Sequence, residues 1–199
     1  EHLDAALAKG KGIILAMPHL GSWEFLSFYL CARYEETPLT GMFRPSRVRE
    51  MDTLLCEGRG HLGAALVSAG VFAVRSLRRA LGRGEFVIIL PDTDPKQGQS
   101  LFAPFFGVPA NTSTLPARLA HDSGAAVLVC FAERLPKGAG FDLHFTPGDP
   151  ALGGDDLPRG VAALNKNVEA LIRSKPEQYL WRYRRFKRRP DGEPSLYKR

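Results

Sequence analysis

Residues 12–24 read Gly-Ile-Ile-Leu-Ala-Met-Pro-His-Leu-Gly-Ser-Trp-Glu: an apolar run stops at Pro18 and His19, a small-residue turn follows at Gly21 and Ser22, and a helical pattern begins at Trp23. This is a strand feeding a short turn into a helix, and it leaves His19 at the C-terminal mouth of the strand. In open α/β sheets, ligands bind in the crevice beyond such strand ends. Glu24 lies five residues on. Along an unbroken helix the two side chains would point about 140° apart; across a turn containing Gly21 the carboxylate can fold back toward the imidazole. A histidine held by a carboxylate is equipped as a general base, because the carboxylate fixes the tautomer and stabilises the imidazolium. The same spacing also arises without any function, and Trp23 reads as packing.

The rest of the chain repeats the alternation of strand and helix. Helix is expected to residue 34, strand over 39–43, helix over 48–59, strand over 64–67 and an amphipathic helix over 71–81. Residues 86–90, Phe-Val-Ile-Ile-Leu, are a continuous apolar run, the pattern of a central parallel strand buried on both faces. Residues 100–109 are aromatic and Pro-rich and read as a long loop that covers or inserts into something. A helix over 113–123 capped by Asn111 or Thr112, a buried strand over 125–131, a turn at 136–140 and an antiparallel edge strand over 141–146 follow. Helices over about 159–174 and 176–181 close the pattern. The fold class expected is α/β: one domain with a mixed, largely parallel sheet of about six or seven strands flanked by helices.

Two further strand ends carry candidate chemistry. Phe43-Arg44-Pro45 sets an arginine in a stiffened turn, where it can clamp a phosphate or carboxylate by paired hydrogen bonds. Asp92 and Asp94 in Pro91-Asp92-Thr93-Asp94-Pro95 suit a metal or proton-handling site, or simply turn formation. Composition narrows the field. The chain has 199 residues, 44% hydrophobic and 24% charged, enough for one domain with a sizeable core. Cys31, Cys56 and Cys130 are few and scattered, which suggests neither a disulfide framework nor a C-x-x-C metal site and fits a reducing compartment. No run of about 18 apolar residues suggests a transmembrane helix. Net charge is +6, favouring anionic partners, and residues 181–189 interleave basic and aromatic side chains. Such a tail suits a membrane interface, single-stranded nucleic acid, or solvent alone.

Together these stretches resemble the late (lauroyl and myristoyl) acyltransferases of bacterial lipid A biosynthesis. His19-Leu20-Gly21-Ser22-Trp23-Glu24 is similar to that family's His-x-x-x-x-Asp/Glu dyad, and Phe43-Arg44-Pro45 to its aromatic-Arg-Pro element. Pro91-Asp92-Thr93-Asp94 with 102–107 resembles its Pro-Asp-Gln-Asp and Pro-Phe-Phe-Gly block, and 176–187 its C-terminal signature. Ser22 and Thr93 depart from the family's usual Asn and Gln. The resemblance implies a glycerolipid (lysophospholipid) acyltransferase-like fold over 1–199, without the N-terminal membrane-anchor region of the family. It also implies acyl transfer from an acyl carrier protein or coenzyme A thioester, with no other cofactor and no metal, to a hydroxyl of a lipid A precursor.

On that reading His19 and Glu24 are catalytic, Arg44 contacts phosphate or developing charge, Asp92 gives hydrogen bonding or acceptor positioning, and Arg118, Glu133 and Arg134 support substrate binding. An oily groove is expected beside His19. The location implied is the cytoplasmic face of the bacterial inner membrane, with an anionic membrane surface, not nucleic acid, as partner. Other acceptors (a phosphatidylinositol mannoside, a lysophospholipid, an aminolipid) and a non-catalytic membrane-surface domain are the alternatives.

Overall fold

The computed structural model describes residues 1–43, 63–95 and 98–197. Arg44, the helix expected over 48–59 and Cys56 lie outside the described residues. The fold is organised by β1 (Ile13–Ala16), in which every residue is buried. Because side chains alternate along a strand, β1 serves two cores at once. Ile13 and Leu15 pack with Leu26 and Leu30, while Ile14 packs with Leu77, Leu81 and Leu119, and Ala16 with Val129, Leu164 and Val168. The first layer is built by α1 (His2–Leu7) and α2 (Trp23–Arg33), the second by α3 (Val71–Gly82), α4 (Leu115–Ser123) and α5 (Leu157–Ser174).

The other strands of the sheet are β2 (Leu39–Phe43), β3 (Ala64–Ser68), β4 (Phe86–Ile89), β7 (Ala126–Arg134) and β8 (Phe141–Pro147), and the order is β3-β2-β4-β1-β7-β8. All neighbours pair in parallel except β7 and β8, so the expected single α/β layer with an antiparallel edge is observed. Side by side, β1 and β4 carry Ala16 opposite Ile89, and the chain leaves both strands at the same edge of the sheet. That register brings His19 to residues 91–94.

Three expectations change. Residues 100–113 are not a loop but a hairpin, β5 (Ser100–Phe105) with β6 (Val108–Ser113). Its turn is Phe106-Gly107, both with positive φ, the pairing a two-residue turn needs. Phe106 accepts that backbone because its N–H donates to Glu169 Oε1 at 2.7 Å. Ala103 and Phe105 face inward while Phe102 and Pro104 face solvent, a period-two pattern hidden by the prolines. Consequently Asn111 and Thr112 are strand residues, and α4 begins at Leu115 with its N–H on Ser113 Oγ. Last, 176–181 is only a single 3₁₀ turn (Pro176–Gln178), and the basic tail beyond it folds back over the strand ends. No helix among the described residues is long and apolar enough to cross a membrane.

Candidate active site

The segment carrying His19 is held on both sides by backbone hydrogen bonds. On one side the Leu180 N–H donates to His19 O at 3.0 Å, and the Gly21 N–H donates to Gln178 O at 3.1 Å. On the other, the Ser22 N–H donates to Ala132 O at 2.8 Å, and Arg134 Nη1 donates to Gly21 O. The squeeze requires glycine at 21: its φ is +62°, and a Cβ would stand 2.1 Å from Ala132 O. Glycine is the residue that tolerates both the left-handed backbone and that approach.

Held there, His19 meets Asp92, which follows β4. Nδ1 lies 2.9 Å from Asp92 Oδ1, and the backbone N–H of His19 donates to Oδ2, also at 2.9 Å. One carboxylate thereby fixes both the ring and its backbone. The carboxylate is 1% exposed and the imidazole 17%. Burial works to lower the proton affinity of His19, but the hydrogen bond and charge of Asp92 outweigh it, and the pKa rises above its ordinary value. Trp23 meets the ring edge-on at 5.9 Å, and Tyr183 stacks on it at 5.9 Å and 14°. Nε2 has no hydrogen-bond partner among the described residues. This is the arrangement of a general base: one nitrogen anchored, the other available.

A second layer comes largely from the basic and aromatic C-terminal stretch. The Asp94 N–H donates to Tyr183 Oη at 2.8 Å, tying the stacked ring to the 91–94 turn. Asp94 Oδ1 accepts from Asn111 Nδ2 at 2.6 Å and pairs with Arg188 at 3.4 Å. Arg185 is buried, donating to Asn111 O and Thr112 Oγ1, both at 2.7 Å. Tyr179 is buried beside Asp92. Burial first, and then that carboxylate's charge, push its phenol well above its ordinary pKa. The tail is therefore largely a strap that closes the site. Its one sequence signal was the regular placement of aromatics between the cations.

The expected site residues distribute as follows. His19 and Asp92 come together. Asp92, rather than Glu24, is the carboxylate on Nδ1; Glu24 stands in the first turn of α2. Arg134 supports the His19 loop through Gly21 and, by its backbone N–H, through Gln178. Glu133 is engaged with Lys175 at 2.6 Å and His144 at 3.0 Å, and Lys175 holds its carboxyl below the usual range. Arg118 is exposed in the middle of α4 and belongs to none of these networks. An apolar cavity of about 320 Å³ lies between β7, β8 and α5, lined by Val129, Phe131, His144 and Leu171 among others, but not by His19. Cys130 is fully buried and its thiol is pushed up by burial, so it offers no nucleophile. Among the described residues, no group of three or more His, Cys, Asp or Glu is placed to hold a metal ion.

Gly21→Ala tests how tightly the loop is held. It is expected to cost more than about 2 kcal/mol in denaturant unfolding, from clash and backbone strain together. Gly82→Ala, whose Cβ would meet nothing within 4 Å, is the control and is expected to be near neutral.

Comparison with known proteins adds the family. Residues 1–188 match the model of the bacterial lipid A biosynthesis acyltransferases. The chain is 35% identical over 200 residues to the lipid A biosynthesis lauroyltransferase of Escherichia coli K12, covering 99% of this chain and 63% of that protein. It is 34% identical over 204 residues to the palmitoleoyltransferase of the same organism, again covering 99% and 63%. A phosphatidylinositol mannoside acyltransferase of Mycobacterium tuberculosis H37Rv is 29% identical over 167 residues, covering 83% of this chain and 50% of the relative. The chain thus spans under two thirds of the length of these relatives, and over that span it belongs to the bacterial lipid A biosynthesis acyltransferase family.

Proposed function

We propose that this chain is the catalytic domain of an acyltransferase that moves an acyl group from a thioester, on acyl carrier protein or coenzyme A, to a hydroxyl of a lipid A precursor. The observation that carries the reading is the His19–Asp92 pair, with Nδ1 anchored at 2.9 Å and Nε2 free of described partners. His19 Nε2 removes the proton from the acceptor hydroxyl as its oxygen attacks the thioester carbonyl. The tetrahedral centre collapses, the C–S bond breaks, and the thiolate leaves with the proton returned by the imidazolium. Asp92 stabilises that imidazolium. No covalent enzyme intermediate is required. Glu24 and Arg44 are assigned to the substrate side, Glu24 as the motif's carboxylate at the start of α2 and Arg44 as a phosphate contact. The mycobacterial relative keeps a second acceptor open, a phosphatidylinositol mannoside.

The test is transfer by the full-length protein, read by mass spectrometry of lipid A in a strain lacking its late acyltransferases; a gain of one acyl chain is expected. His19→Ala should lose about 10²-fold or more of turnover, the scale of general-base contributions. Because Asp92 raises the pKa of His19, activity should rise as pH climbs through that elevated value. Asp92→Asn should lower turnover and move this limb to lower pH, whereas Glu24→Gln should lower turnover without moving it. Near-wild-type transfer by His19→Ala would end the proposal.

The same reading seats the protein on the anionic cytoplasmic leaflet of the inner membrane. Leu180 and Trp181 are 47% and 59% exposed beside the His19 backbone, flanked by exposed Arg182, Arg184 and Lys187. Aromatic and aliphatic groups among cations suit the headgroup region. Arg185, Arg188 and Arg189 are spent on internal contacts and do not belong to this surface. In vesicle flotation with anionic lipid, neutralising Arg182, Arg184 and Lys187 together with Trp181→Ser should reduce binding by about a hundredfold, at about 1 kcal/mol per cation. Unchanged flotation argues against this face.

A further inference from the structure

Asp92 reaches His19 at its backbone N–H and at Nδ1, and neither bond fixes the roll of the ring about its Cβ–Cγ axis. That torsion is broad in histidine, and a hydrogen bond at Nδ1 tolerates a departure of about 30° from linearity. The roll carries Nε2 off its line. Tyr183 stands where it can oppose this motion. Its ring lies at 14° to the imidazole with centroids 5.9 Å apart, an offset stack, while Trp23 meets the same ring at 72°. The tyrosine is itself held at three points. Its Oη accepts from the Asp94 N–H at 2.8 Å, its N–H donates to Leu180 O at 3.1 Å, and its carbonyl accepts from the Arg185 N–H at 2.9 Å. Two of these anchors lead back to the pair: Asp94 belongs to the turn that carries Asp92, and the Leu180 N–H donates to His19 O at 3.0 Å. One side chain thus spans the face of the imidazole and the turn that supplies its carboxylate.

We propose that Tyr183 is a positioning residue for the reaction: its ring sets the roll of the His19 imidazole and so the direction in which Nε2 points. For its effect on turnover this rests on His19 being the base; the restraint on the ring itself does not. Tyr183 acts through His19. The alignment of Nε2 matters when the proton moves, not when the substrates bind, so its loss belongs in kcat and leaves KM unchanged. The operative part is the flat ring. The two backbone hydrogen bonds of Tyr183 hold the strap in place without the hydroxyl, so phenylalanine at 183 keeps the stack and leucine removes it.

The experiment compares the full-length wild type, Tyr183→Phe and Tyr183→Leu by kcat and KM for acyl transfer and by NMR relaxation of the His19 ring C–H groups. Tyr183→Leu should lower kcat about tenfold, the upper end of what an aromatic pair contributes, and Tyr183→Phe should stay within about threefold of wild type, both at unchanged KM. The His19 ring order parameter should be near about 0.85 in wild type and Tyr183→Phe and fall below about 0.6 in Tyr183→Leu. The Nδ1–H signal should persist in all three, because the bond to Asp92 is untouched. A role confined to anchoring the 91–94 turn through the hydroxyl makes Tyr183→Phe as poor as Tyr183→Leu, and that result overturns the proposal. So does wild-type kcat or an ordered His19 ring in Tyr183→Leu, a loss that falls on KM, or loss of the Nδ1–H signal. Should Tyr183→Leu not fold, wild type and Tyr183→Phe decide: an ordered His19 ring in both supports the proposal, and a mobile ring in either overturns it. Failure of the base reading shows separately, as transfer by His19→Ala, and leaves the ring-order result standing.

Discussion

The site depends on a single carboxylate used twice. Asp92 takes the ring Nδ1 of His19 with one oxygen and the backbone N–H of the same residue with the other, both at 2.9 Å. A ring hydrogen bond alone would leave the imidazole free to swing with its loop; the second bond removes that freedom. Hydrogen bonds to a charged group contribute about 1.5–3 kcal/mol each, so the pair is a structural fastening as much as a catalytic one. It forms only because β1 and β4 are adjacent and in register, which delivers His19 and Asp92 to the same edge of the sheet from 73 residues apart.

The strap of residues 179–189 gives the fastening its surroundings. Tyr183 lies flat against the imidazole and is itself held by the Asp94 N–H. Arg185 reaches through to the hairpin β5–β6, where Thr112 also meets Asn165 of α5. Asn165 in turn caps the carbonyl of Pro104 at 3.0 Å. Strap, hairpin and α5 are thus tied by one polar network in a mostly apolar layer, although Tyr179 Oη, Arg185 Nε and Arg189 Nε are buried in the strap without a hydrogen-bond partner among the described residues. The outward cations of the same strap remain available for a charged surface. One short segment thereby serves two purposes, separated by the direction its side chains take.

Much of this was legible in the sequence, for identifiable reasons. The apolar runs at 13–16 and 86–89 are short, rich in β-branched residues and bounded by Gly12 and Pro18 and by Gly84 and Pro91, which favours doubly buried strands over buried helix. The turn at Gly21 announces the exposed end of a strand. What sequence does not carry is strand order. Glu24 was the nearest carboxylate along the chain, and Asp92 is the one adjacent in space; the difference is made entirely by β4 pairing beside β1. The hairpin was hidden for another reason. Pro104 and Pro109 sit opposite each other and face away from ladder hydrogen bonds, so two residues that ordinarily signal a loop are tolerated in a two-stranded edge. The inward turn of Arg185 had no signal of its own, because a buried arginine and a solvated one look alike in a basic run.

The most direct measurement of the central claim is the tautomer of His19 in the full-length protein, read from ring ¹⁵N chemical shifts at a pH above its titration point. The account predicts a proton on Nδ1, a bare Nε2, and loss of the Nδ1–H signal in Asp92→Asn. A ring protonated on Nε2, or an Nδ1–H signal indifferent to Asp92→Asn, would contradict it.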